Sequence, residues 1–113
     1  MRRRERLRHR KDFAAVSARG RGYGSPLLVL RTLPNGLDHN RYGFVVSKRL
    51  GNAVKRNRVK RLLREAARLT PIQSGWDLVF IARPSLAGTT FNTVKSAVEG
   101  LVGRAGLNLE AAR

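Results

Sequence analysis

The sequence predicts an α+β domain built on a small sheet. Three short runs are rich in branched and aromatic residues: Leu27–Leu33, Arg41–Ser47 and Trp76–Ala82. Two longer stretches, one after Gly51 and one after Thr90, repeat apolar residues at spacings of three and four, the period of a helix with one buried side. The order helix, two strands, helix, strand, helix is neither a strict βα alternation nor an all-strand pattern. At 113 residues the chain has the length of one domain.

Residues 1–10 carry Leu7 as their one apolar residue after Met1 and read as a flexible basic arm. A single domain spans 11–104, and 105–113 are expected to fray. Lys11–Arg19 forms a short helix, with Asp12 as N-cap and Phe13 and Val16 on one side. Arg19–Gly24 is glycine-rich and reads either as a connector or as a scrap of an RNA-binding Arg-Gly tract. Leu27–Leu33 is a strand, and Pro34-Asn35-Gly36 is a turn with the Asn-Gly hairpin signal, lengthened through Asp38, His39 and Asn40. Arg41–Ser47 is the next strand. Lys48–Asn52 is a basic turn into a helix that stops near Leu69, before Thr70-Pro71. Trp76–Ala82 is the most apolar strand and therefore the most central. Thr89 or Thr90 caps the last helix, with Phe91, Val94, Val98 and Leu101 on one face.

Charge bounds the function. There are 24 Lys and Arg against 7 Asp and Glu, a formal net charge of +17, and 19 of the cations are arginine. Self-repulsion on that scale works against compactness unless a polyanion relieves it. Arginine's planar fork of donors suits phosphate oxygens. The absence of cysteine excludes disulfides and thiolate metal sites. His9 and His39 are not at ligand spacing, and no apolar run approaches the ~20 residues of a membrane span. The basic N-terminus lacks the apolar stretch of a secretory signal, so a cytoplasmic location is expected. No two of Glu5, Asp12, Asp38, Glu65, Asp77, Glu99 and Glu110 stand at a spacing that builds an acid/base pair or a metal site.

The segment Lys55–Glu65 carries the strongest signal. At ~100° per residue, Val59, Leu62, Leu63 and Ala66 fall on one stripe and Asn57, Lys60, Arg61, Arg64 and Arg68 on the other. Solvated helix faces mix signs, whereas this one has only Glu65 among its cations. A cationic row of this kind neutralises phosphates and releases their counterions. Asn57 serves either as the helix N-cap or as a hydrogen-bonding contact to RNA. Lys48 and Arg49, at the end of the preceding strand, could extend the patch or simply form a surface turn. Phe13, Val16, Tyr42 and Phe44 are either core residues or a platform for an unpaired base. Arg31 shares its strand face with Leu27, Val29 and Leu33, which makes it either a charged groove floor or an edge residue.

The stretch Gly51-Asn52-Ala53-Val54-Lys55-Arg56-Asn57-Arg58-Val59-Lys60-Arg61-Leu62-Leu63-Arg64-Glu65 resembles the signature of the bacterial ribonuclease P protein component, with its Arg-Asn-Arg core. Arg6-Leu7 with Asp12-Phe13 and Val16 is similar to the family's opening helix. Tyr42–Arg49 and Asp77–Arg83 are similar to its strands. The resemblance covers roughly 6–100 and implies a small mixed sheet with helices, of the ribosomal-protein-S5-domain-2-like kind, with a left-handed βαβ crossover around the basic helix. It implies a protein subunit that joins a catalytic RNA and helps remove the 5′ leader of precursor tRNA. On that analogy the RNA performs the hydrolysis with Mg²⁺, and no cofactor is held by protein side chains alone. Lys48, Arg49, Lys55, Arg56, Asn57, Arg58, Lys60, Arg61, Arg64 and Arg68 would face the RNA subunit. Phe13, Val16, Arg31, Tyr42 and Phe44 would line a cleft for the leader. Neither a membrane nor an obligate protein partner is implied. Relatives often carry aromatics where this chain has Ser17 and Arg31, so a leader groove resting more on charge is expected. The alternative is a small ribosomal or RNA-chaperone protein with no processing role.

Overall fold

Alternation along the strands decides which side of the sheet each residue faces. A computed structural model describes residues 1–109 and gives four strands: β1 (Arg21–Gly24), β2 (Leu28–Pro34), β3 (Arg41–Val45) and β4 (Trp76–Ala82). Their spatial order is β1-β2-β4-β3, with β4 antiparallel to β2 and parallel to β3. Leu28, Leu30, Leu78 and Phe80 point to one face and are fully buried in the main core. Val79, Ile81 and Leu33 point to the other, where they meet Leu7, Phe13 and Val16.

Three helices cover these faces: α1 (Arg10–Arg19), α2 (Ala53–Leu69) and α3 (Phe91–Arg104). α1 lies over the smaller cluster. α2 and α3 pack together over the larger one, α2 through Val59, Leu63, Ala66 and Ala67 and α3 through Val94, Val98, Leu101 and Val102. Gly43 on β3 makes room for α1, since a Cβ there would stand 2.5 Å from the Phe13 ring.

The central position of β4 is as the sequence predicts, because a strand buried on both faces needs no polar alternation. Its insertion overturns the hairpin expected at Asn35-Gly36. β2 and β3 are not neighbours, and the loop between them spans the end of β4. Asn35 serves that loop instead: its Oδ1 accepts from Leu37 N (2.8 Å) and its Nδ2 donates to the His39 carbonyl (3.2 Å) and to Asp77 (3.0 Å).

Other expectations also shift. Arg21–Gly24 is an edge strand rather than a connector, since it pairs antiparallel with Val29–Thr32. The basic arm is docked: Leu7 is buried, its N–H donates to the Tyr42 carbonyl (2.8 Å), and Arg6 bridges to Tyr42 beside β3. His9, not Asp12, is the N-cap of α1, and it supplies no side-chain cap. Ala105–Leu109 are held rather than frayed, with Leu107 buried, its carbonyl accepting from Gln73 N (2.7 Å), and Asn108 bridging to Ile72. The rest of that predicted tail lies outside the described residues.

Leu63 is fully buried, whereas Leu62 sits at the flank of the stripe and keeps part of its surface. Leu63→Ala is expected to cost about 2–5 kcal/mol in urea unfolding, the range for an emptied core leucine. Leu62→Ala should cost clearly less. Equal losses would show that the helix is rotated from this register.

Candidate nucleic-acid interface

The turn of the helix after Gly51 sets the site. Ser47 Oγ accepts from Arg49 N (3.3 Å) and caps a 3-10 turn, Lys48–Leu50, that buries Leu50 and leaves Lys48 and Arg49 exposed. Gly51 then adopts φ +124, a left-handed conformation that side chains disfavour, and the chain swings into α2. Asn52 is the N-cap, its Oδ1 accepting from Lys55 N (3.0 Å). This overturns the N-cap role for Asn57, which stands inside the helix with its side chain exposed.

The predicted cations divide into three kinds. Lys55, Lys60, Arg61 and Arg64 line the exposed and flanking sides of α2 and meet no carboxylate among the described residues. Arg58 is exposed and also donates from Nη2 to the Thr89 carbonyl (3.2 Å), which ties α2 to the loop before α3. With Lys55 it borders a groove floored by Leu50 and Val59. Arg56 and Arg68 depart from the expected row. Arg56 is half-buried, one turn before Val59 on the inward stripe, and its Nε is sealed from solvent without a partner. Arg68 is paired with Glu65, Nε to Oε2 at 3.0 Å.

The residues expected to line one cleft are split between two faces. Tyr42 and Phe44 pack on the main core, Phe44 stacked on Phe80 with ring centroids 5.9 Å apart. Burial pushes the Tyr42 phenol above its ordinary pKa. Val16, on the opposite face, is 1% exposed and so has no surface to offer. Phe13, half-buried over Gly43, and Arg31 remain on the α1 face. Arg31 is no free floor charge. Its Nε donates to the Val16 carbonyl (3.3 Å) and its Nη2 to those of Ser17 (3.0 Å) and Gly20 (2.7 Å). It therefore clamps the C-terminal end of α1 to β2, sharing the Val16 carbonyl with Gly20 N–H and supplying donors to carbonyls at the negative end of the helix.

A charged node went unrecognised in the sequence. Asp77, 4% exposed at the start of β4, takes both arms of Arg41, Nε to Oδ1 at 2.9 Å and Nη2 to Oδ2 at 2.7 Å. Arg41 Nη1 also lies 3.5 Å from Asp12 on α1. Hydrogen bonding to Asp77 raises the Arg41 pKa further. The available signal was an acid inside the most apolar strand, since a buried carboxylate demands a partner.

Comparison with known proteins fixes the family, because the profile of ribonuclease P matches residues 1–106. The chain belongs to the ribonuclease P protein family. It is 46% identical over 105 residues to the ribonuclease P protein component of Dehalococcoides mccartyi strain CBDB1, covering 93% of this chain and 88% of that one. The Staphylococcus aureus RNase P protein superposes with a TM-score of 0.84 at 31% identity, over 92% of this chain and 97% of that one. The Thermotoga maritima RNase P protein gives 0.79 at 34% identity, over 88% and 96%. The α+β class with a mixed sheet is thus the family's own. The chain is a ribonuclease P protein component, part of an endoribonuclease complex, and these relatives lend no support to a ribosomal or chaperone role. No helix among the described residues is long and apolar enough to cross a membrane.

The Glu65–Arg68 pair makes a pH prediction. The Arg68 hydrogen bond holds the Glu65 carboxyl below its ordinary pKa. A depressed acid stabilises the fold above its unfolded pKa, and that contribution disappears as pH falls through the lowered folded value. An NMR titration of the Glu65 side chain should therefore give a midpoint below the ordinary glutamate range, and Arg68→Ala should return it upward. An unchanged midpoint in Arg68→Ala would show that the pair does not form in solution.

Proposed function

We propose that this chain binds the catalytic RNA of ribonuclease P through the 3-10 turn and α2, and assists Mg²⁺-dependent removal of the 5′ leader from precursor tRNA. One observation carries the reading: Lys55, Lys60, Arg61 and Arg64 stand on a helix whose other side is seated in the core, with no carboxylate neutralising them among the described residues. Lys48 and Arg49 extend that surface at the N-terminal end of α2. Each phosphate such a row neutralises releases counterions, so affinity for RNA falls steeply with salt. Asn57, exposed among the cations, adds a directed hydrogen bond.

The phosphodiester chemistry belongs to the RNA on this reading. The acids of this chain are dispersed or committed: Asp12 and Asp77 to Arg41, Glu65 to Arg68, Glu99 to Lys95. Among the described residues they offer Mg²⁺ no shared cage, so the ions would rest on RNA phosphates. By offsetting charge near those phosphates, the protein would lower the Mg²⁺ concentration that the assembly needs. The leader would run across the α1 face past Phe13, the half-buried aromatic there, rather than past Tyr42 and Phe44 on the far side.

Reconstitution tests this. Added to a ribonuclease P RNA at low Mg²⁺, the protein should increase cleavage of precursor tRNA, and no gain would refute the reading. Arg61→Ala should weaken RNA-subunit binding and reduce the slope of log affinity against log salt by roughly one. It should leave thermal unfolding unchanged, because Arg61 is exposed and makes no ion pair among the described residues. Arg58→Ala should show a small thermal loss as well, through its tether to Thr89.

A further inference from the structure

A second concave site lies at the end of the sheet where β4 begins. Trp76, Tyr23, Thr32 and Pro34 line a cavity of about 250 Å³, with Arg19 and Arg21 at its edge. It exists because Arg21–Gly24 is a strand. Pairing Arg21 with Thr32 and Tyr23 with Leu30 brings β1 to the main-core face, and the register of Pro34 with Trp76 completes the floor.

The topology places this cavity away from the first turns of α2. In the parallel β3–α2–β4 unit the chain leaves the far end of β3, enters α2 through Lys48–Leu50, and returns to the opposite end of the sheet at Trp76. The seven residues of β4 separate the two ends by about 20 Å. The cavity is therefore no extension of the basic 3-10 turn.

Its chemistry is specific. Trp76 and Tyr23 are half-buried, with their rings packed against the core and part of each surface open. Arg19 and Arg21 are exposed and pair with no carboxylate among the described residues. Fixed aromatic faces beside free guanidiniums are the combination that holds unpaired nucleotides, the base on the ring and the phosphate on the cation. The volume falls below that of drug-sized pockets, which suits one base rather than a larger ligand. A free phosphate would leave the aromatic faces unused, and an apolar peptide would strand the two arginines.

We propose that this cavity takes one unpaired nucleotide of an RNA strand, its base against Trp76 and Tyr23 and its phosphate between Arg19 and Arg21. This contact goes beyond the α2 surface and does not depend on it.

Trp76 is the only tryptophan in the chain, so it reports on its own site. Titrating the protein with a single-stranded octaribonucleotide should quench Trp76 emission saturably. In the Arg19→Glu/Arg21→Glu double variant, whose changes are at exposed positions, the quench should need at least roughly tenfold more oligonucleotide. Anisotropy of a labelled octamer should show Trp76→Phe close to the parent and Trp76→Leu weakened. Arg61→Ala should leave the quench in place. A quench that survives the double charge reversal, or is lost in Arg61→Ala, would overturn the proposal. So would equal displacement of the octamer by an oligoglutamate peptide. Failure of Arg61→Ala to weaken assembly with ribonuclease P RNA would count against the α2 reading alone.

Discussion

The seating of α2 on the sheet is the constraint on which the rest of this structure depends. Val59, Leu63, Ala66 and Ala67 form an inward stripe with two alanines toward its C-terminal end, and small residues let the helix approach the sheet and α3 closely. Once that stripe is buried, the direction of every cation on the helix is determined. Repulsion among Lys60, Arg61 and Arg64 disfavours the isolated helix. Packing against the core must supply what propensity and charge withhold. The basic surface is thus stored in the fold, pre-formed, so that a polyanion docking on it would have little ordering cost to meet.

Scarcity of acid completes that arrangement. With 7 acids against 24 cations, neutralisation is selective. Asp77 and Asp12 are used together to hold Arg41, joining α1, β3 and β4 at one corner. Asp77 is also held by Asn35, so its buried oxygens are satisfied from β3 and from the loop before it. Only Glu65 sits on α2, and it engages Arg68 near the C-terminal end. The N-terminal portion of the basic row is left without a counter-charge among the described residues. Positive charge at a helix N-terminus opposes the macrodipole. That placement weakens the free helix, and phosphates docked there would relieve it.

How much of this was legible follows from the range of each interaction. Local signals held: the Thr90 cap, the stop at Thr70-Pro71, the stripe of α2 and the centrality of β4 are written in neighbouring residues. Pairing between distant strands was not. Asn35-Gly36 carries a hairpin signal, but the partner of β2 is β4, more than forty residues away, and only the sheet order reveals it. The same blindness hid β1, whose glycines look like a loop until Leu30 and Thr32 supply its ladder. Strand alternation is enough to place Tyr42 with Phe44. It could not show that α1 covers the other face and so separates both from Phe13. The Arg56 departure has a simpler cause, because a helix wheel assigns arginine to the polar side while a long aliphatic stem can lie along an apolar stripe.

Arg31 and Ser17 show how far a local substitution can mislead. Where the family resemblance leads to an expectation of aromatics, a cation suggests a groove that binds by charge. The guanidinium instead donates to carbonyls of Val16, Ser17 and Gly20, so its charge faces the negative end of α1. Nη1, which makes no hydrogen bond among the described residues, is the part left for a ligand. The side chain thus acts first as a brace between α1 and β2. It holds the helix that carries Phe13 over Gly43, and Phe13 is the one aromatic of the predicted cleft still partly open on that face. A strand crossing this face would meet a single ring and a largely spent charge. Its binding would therefore depend more on cations outside the α1 face than on stacking within it.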